Sequence, residues 1–139
     1  MSATDPRLYY IPAGSRLADD RFTAAEREIL TTLNQRVAAG ESLAAIMDFV
    51  FETGHALFPC DRLAVAFLDP TGTRLTTHWL RADYAPAGLP GGYTQDLRDS
   101  SLSPVIARGE IRLIGDLAGY GQQHPGSVAT RALVAEGVR

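Results

Sequence analysis

The chain has 139 residues, 45% hydrophobic and 21% charged, close to globular averages, which suits one domain and argues against bulk disorder. Its 13 basic residues face 16 acidic ones, for a net charge of -3, and form no run, so no electrostatic drive points it toward nucleic acid or anionic lipid. The single cysteine, Cys60, excludes an internal disulfide and a Cys-rich metal site, and no apolar run approaches a membrane span; a cytoplasmic domain is expected, without nucleic acid or membrane insertion.

Residues 1–22 read as an N-terminal extension, with Pro6, Pro12 and Gly14 breaking any period. The patch Leu8-Tyr9-Tyr10-Ile11 is the exception: it either docks on the domain or a neighbour, or stays disordered. Helix signals begin at Thr23, where Thr23 and Glu26 make a capping box that satisfies backbone N–H groups of the first turn. Leu30, Leu33 and Val37 then recur on one face, with Ile29 beside them, and Gly40 suits a left-handed C-cap. A second helix opens at Ser42. Its apolar face is wider (Leu43, Ile46, Met47, Val50, Phe51, Leu57 and Phe58), so it is expected to be the better buried, and Pro59 ends it.

From Pro59 to Arg81 the pattern is strand, tight turn, strand. Leu63, Val65 and Phe67 share one face of the first strand, and Ala64, Ala66 and Leu68 the other. A strand apolar on both faces is expected to be central and covered on both sides. Asp69-Pro70-Thr71-Gly72 has turn chemistry. Leu75, Thr77 and Trp79 alternate with Thr76, His78 and Leu80 on the way back. Beyond the loop 85–92 we expect a short strand at Tyr93–Leu97, then a short Ser-capped helix at Ser100–Arg108 closed by Gly109. A strand at Ile111–Ile114, a Gly-rich loop to Gly126 and a helix at Ser127–Glu136 follow. The fold class is α+β, a mostly antiparallel sheet carrying helices.

Catalytic chemistry is hard to assemble. Cys60 sits just past a helix C-terminus, which disfavours its thiolate, and a structural, half-buried Cys is the simpler reading. His55, His78 and His124 fall on a helix, a strand and a loop, without zinc-ligand spacing. His78 adjoins Trp79 on a strand able to floor a pocket, although a polar residue on a partly wet face is the simpler reading. No phosphate-binding glycine motif is present. No catalytic residue, no metal and no named cofactor is assigned.

Several segments, in order, resemble the GAF domain family: Ser42-Leu43 opening the second helix, FPCDRLAVAFLD from Phe58 to Asp69, SLSPVIARGE from Ser101 to Glu110, IGDL from Ile114 to Leu117, and RALVAEGVR from Arg131 to Arg139. The resemblance spans roughly residues 23–139. It implies a PAS-related, mostly antiparallel sheet with the two N-terminal helices packed on one face. In that family the loops and the short helix cap a ligand pocket, which here makes Phe67, His78, Trp79, Tyr84, Asp116 and Tyr120 the candidates. The cyclic-nucleotide signature and the bilin-attachment cysteine are not recognisable. Flanking helices of the family build dimers, so Leu30, Leu33 and Val37 become candidates for a homodimer helix. Family members continue with two more core strands and a closing helix, so an uncovered strand edge is expected here, in a dimer or in a piece of a longer protein. The function implied is a regulatory sensor of a bacterial-type signalling protein (histidine kinase, cyclic-di-GMP enzyme or transcription activator). It would bind an unidentified small molecule, dimerise, or both, and bias an output domain downstream. The alternatives are a homodimerisation module without ligand and a small redox enzyme, which would need a reactive thiol.

Overall fold

The computed structural model describes residues 8–12, 21–57, 59–84 and 91–138. In chain order the elements are β1 (Leu8–Pro12), α1 (Ala24–Ala38), α2 (Leu43–Leu57), β2 (Arg62–Leu68), β3 (Arg74–Ala82), β4 (Thr94–Asp96), α3 (Leu102–Arg108), β5 (Glu110–Ile114), α4 (Leu117–Gln123) and α5 (Val128–Ala135). Helices and two antiparallel sheets make this an α+β protein. The strand orders are β1-β5 and β2-β3-β4. Among the described residues no helix is long and apolar enough to cross a membrane.

Two compact units are present, and β2 and β3 run from one into the other. The first holds α1, α2 and the strand segments 62–65 and 79–82. The capping box forms as its residues dictate: the Thr23 N–H donates to Glu26 Oε2 at 2.6 Å, and the Glu26 N–H to Thr23 Oγ1 at 3.2 Å. These bonds, the one from the Thr23 backbone foremost, hold the Glu26 carboxyl below its usual range. Gly40 takes the left-handed conformation, φ +71°, just past α1. No residue of α1 is buried, whereas α2 buries Phe51 and Gly54. Ser42 caps α2 by accepting from the Ala45 N–H at 3.2 Å. Arg81 of β3 ties the helix down, donating to Asp48 at 3.1 Å and Glu52 at 3.0 Å with its guanidinium 5.1 Å from the Phe51 ring. Phe58 lies outside the described residues, as does most of the 85–92 loop.

The second unit holds β1, the hairpin tip 66–78, β4, α3, β5, α4 and α5. The apolar patch of the N-terminal stretch is docked: β1 pairs antiparallel with β5, Leu8 opposite Ile114 and Pro12 opposite Glu110. Turn chemistry works as expected at Asp69, whose carboxylate accepts from Thr71 Oγ1 at 2.6 Å and from the Thr73 and Arg74 N–H groups at 2.9 and 3.0 Å. Among the described residues of this unit, Leu97, Val105, Leu117, Tyr120 and Thr130 are buried.

Two expectations are corrected. β2 is not central; it is the edge of the sheet β2-β3-β4, and Phe67 and Leu68 are 52% and 43% exposed. Apolar residues on both faces report an intrinsic strand preference, but position in a sheet is decided by partners elsewhere in the chain. The stretch expected to be a Gly-rich loop contains α4. Asp116 Oδ1 caps it through the Gly119 N–H at 2.9 Å, and Leu117 and Tyr120, one turn apart, are buried. Packing of that face outweighs the poor helix propensity of Gly119 and Gly121, about 1 kcal/mol each. Gly121 also sits where a Cβ would lie 3.3 Å from the Thr130 methyl, so α4 and α5 approach closely there.

Candidate functional site

Between β4 and the start of α5 lies an open cleft of about 1060 Å³. Residues 93–96 and 98–101 line it, together with 124 and 126–129. All belong to the second unit.

The chain after β4 turns on a single ion pair. The Arg98 N–H donates to Asp96 Oδ1 at 2.9 Å, and its Nε reaches both carboxylate oxygens at 3.0 Å, with Nη2 also on Oδ2. These Arg98 bonds hold the Asp96 carboxyl far below the usual carboxylate range, and Asp96 raises Arg98 in return. Ser100 comes next and does the capping that the Ser pair promised. Its Oγ accepts from the Leu102 N–H at 3.2 Å and from Gln95 Nε2 at 3.2 Å, joining β4 to α3. Ser101, the formal N-cap residue, makes no side-chain cap.

Ser101 instead belongs to a network behind the cleft wall. Tyr120, 3% exposed, donates its hydroxyl proton to Ser101 Oγ at 2.8 Å. Arg112 of β5 donates from Nη1 to Ser101 Oγ at 3.0 Å and to the Tyr120 hydroxyl at 3.3 Å. With both donors pointed at its oxygen, the Ser101 hydroxyl keeps its own proton for another acceptor. His124 stacks on the Tyr120 ring, centroids 4.1 Å apart at 21°. Its Nδ1 lies 3.0 Å from the Tyr120 carbonyl. A carbonyl only accepts, so Nδ1 carries hydrogen and Nε2 of the neutral ring is left as an acceptor. Ser127 opens α5, its Oγ accepting from the Thr130 N–H at 3.2 Å.

The cleft therefore offers hydroxyls, an amide, an imidazole acceptor and three charges, Asp96, Arg98 and Asp99. Among these lining residues Ser100 and Ser101 are held by hydrogen bonds, and Asp96 and Arg98 hold each other.

The six residues suggested by resemblance are divided between the two units. Phe67 and His78 meet edge to face at 5.3 Å on the hairpin tip, both exposed. Trp79 and Tyr84, half-buried, belong to the other unit. Asp116 is the cap of α4, and Tyr120 is the buried anchor of the Ser101 network. None of the six lines the cleft; Tyr120 bears on it only through Ser101 and His124. Gln95, Asp96, Arg98, Ser100 and Ser101 went unremarked as site residues. The run of polar residues 98–101 ahead of a short helix was the available signal.

On α1, Leu30 and Val37 are 41% and 56% exposed and Leu33 is half-buried, so the stripe read as a dimer helix is open. Cys60 is half-buried, its Sγ donating to the Arg62 carbonyl at 3.4 Å. His55 does not serve the thiol: Nδ1 lies 3.1 Å from the Cys60 carbonyl and Nε2 3.4 Å from Asp83. Among the described residues no three His, Cys, Asp or Glu side chains gather as a metal would need.

No family model matches the chain, and no curated protein and no solved structure is significantly similar to it.

Proposed function

We propose that this chain is a regulatory, GAF-like sensor module that binds a small ligand in the cleft between β4 and α5 and biases an output domain of a signalling protein. The observation that carries the reading is the position of that cleft. Ser100 and Ser101 of the expected short helix, with His124 and Gly126 from the end of the stretch 115–126, line it, and in the family the motifs resemble that helix and that stretch are among the segments that cap the ligand pocket. Ligand preference for one arrangement of these loops supplies a population shift without any catalytic step. Homodimerisation through Leu30, Leu33 and Val37 is part of the proposal, supported by an apolar stripe on a helix with no buried residue.

A native mass spectrum of the purified protein tests both parts. A dimer with a stoichiometric adduct, displaced when Ser101→Trp fills the cleft, is the expected result. A bare dimer that Leu30→Asp dissociates favours the second reading, a homodimerisation module without ligand. A bare monomer that takes up nothing from a metabolite extract refutes both.

A further inference from the structure

The β3–β4 pair leaves one row of backbone groups unspent. The Thr77 N–H donates to the Tyr93 carbonyl at 2.9 Å and the Leu97 N–H to the Thr73 carbonyl at 2.8 Å. Leu75 lies opposite Gln95, and Thr76 opposite Thr94. Residues 93, 95 and 97 thus turn toward β3, and in an antiparallel ladder the alternate residues turn the other way. The N–H and C=O groups of Thr94 and Asp96 accordingly face outward. β4 ends its strand order, and among the described residues these four groups meet no hydrogen-bond partner.

Such an edge is normally guarded by shortness, charge, Pro, a bulge or a covering element. Of these β4 has its three-residue length and, just before it, Gly92 and Tyr93 facing the single residue Thr77. Thr94-Gln95-Asp96 carries neither Lys nor Pro, and the Asp96 carboxylate is bound to Arg98. The edge also borders the cleft, with residues 93–96 along one wall and 126–129 along another. A wall beside an open edge obstructs the approach of a second whole sheet and admits a single extended chain. About 1060 Å³ exceeds what most drug-sized ligands fill, so there is room for a strand with its side chains.

We propose that β4 binds an extended peptide segment, which lies in the cleft as an added strand and presents a Lys or Arg side chain to Asp99. The backbone bonds to Thr94 and Asp96 give affinity, and the charge gives preference. Asp96 and Arg98 neutralise each other, so the lining keeps one net negative charge, at the exposed Asp99. The proposal rests on the reading of this cleft as the ligand site and makes its occupant a peptide.

The test uses the full chain and fluorescein-labelled heptapeptides of sequence TVTKTVT, TVTETVT, and TVTKTVT with alternate amides N-methylated. Polarisation should show saturable binding of the Lys peptide. The Glu peptide should bind about two- to fivefold more weakly, the size of one exposed charge contact, a difference that Asp99→Asn removes. The N-methylated peptide should not bind, and hydrogen exchange should slow at the Thr94 and Asp96 amides. Thr94→Pro deletes an outward N–H and none of the ladder to β3, so it should weaken binding about tenfold with an unchanged circular dichroism spectrum. Should that variant lose its fold, the N-methylated peptide on the wild type decides. No saturable binding by any peptide, or N-methylated binding equal to the parent, overturns the proposal. A small metabolite held with the Thr94 and Asp96 amides still exchanging freely also overturns it, yet leaves the sensor reading standing.

Discussion

The Tyr120 hydroxyl donates to the Ser101 hydroxyl at 2.8 Å, and so fixes the first turn of α3 to the one aromatic ring that α4 buries. Arg112 donates to both oxygens, at 3.3 and 3.0 Å. Tyr120→Phe removes the donor of the Ser101 bond and the acceptor of one Arg112 bond. The expected loss is about 1 kcal/mol by chemical denaturation, the net value of one such bond. Ser101→Ala should cost a similar amount, and the double variant less than the sum, because both substitutions delete the same bond. Strict additivity would show that the two hydroxyls do not cooperate.

Asp69 makes the hairpin turn sensitive to acid. Its carboxylate accepts from Thr71 Oγ1 and from two backbone N–H groups, and the Thr71 bond, with Arg74 next, lowers its pKa. A carboxyl lowered in the folded state contributes stability above its unfolded value, and the contribution disappears as pH falls through the folded one. The melting temperature of wild type should therefore exceed that of Asp69→Asn by a constant margin from pH 8 to 5. Below about pH 4, the ordinary carboxylate range, the margin should narrow. A margin independent of pH down to 2 would show that the charged form is not what holds the turn.

Two glycines should respond differently to alanine. Gly109, at φ +61°, ends α3 in a conformation that costs an L-residue about 1–2 kcal/mol, and open space surrounds it, so Gly109→Ala should destabilise by that amount through the backbone alone. Inside α4, Gly119→Ala gains helix propensity of about 1 kcal/mol. The new Cβ would lie 2.5 Å from the Asp116 carboxylate oxygen, however, and would push the cap aside. Loss of a cap costs about 1 kcal/mol, so the substitution should be close to neutral rather than stabilising. A clear rise in melting temperature for Gly119→Ala would mean that the cap adds little.

Arg81 joins β3 to α2 through Asp48, Glu52 and the Phe51 ring. Its pairs are partly exposed, the Arg81 side chain at 38%, so they are weak and screened by salt. Arg81→Lys keeps the charge and loses the planar fork that reaches two carboxylates at once. A small drop in melting temperature is expected at low salt, shrinking by about half or more at roughly 1 M sodium chloride. A loss indifferent to salt would assign the effect to the Phe51 contact instead.

Much of the framework was legible because it is decided within one turn of chain. Thr23 and Glu26 cap each other, Asp69 and Thr71 build the hairpin turn, and Gly109 adopts the left-handed conformation that stops α3. Illegible features depended on partners far along the chain. Gly119 and Gly121 argue for a loop until Leu117 and Tyr120 find a buried face, and α4 forms for that reason. Among the candidate site residues, Tyr120 and Asp116 were singled out as ligand contacts, and they serve as anchor and cap. Asp96, Arg98, Ser100 and Ser101, which do line the cleft, are polar residues with no periodicity to mark them.

The amino-acid sequence by itself determined the α+β class, the helix caps and the hairpin turn, since each follows from bonds between residues a few positions apart. The tertiary structure alone decided that β2 lies at a sheet edge and that β1 pairs with β5. It also decided that β4, which ends its strand order among the described residues, lines a cleft. A strand carries the same propensity wherever it lies; which of its edges is left without a partner depends on where every other strand has gone.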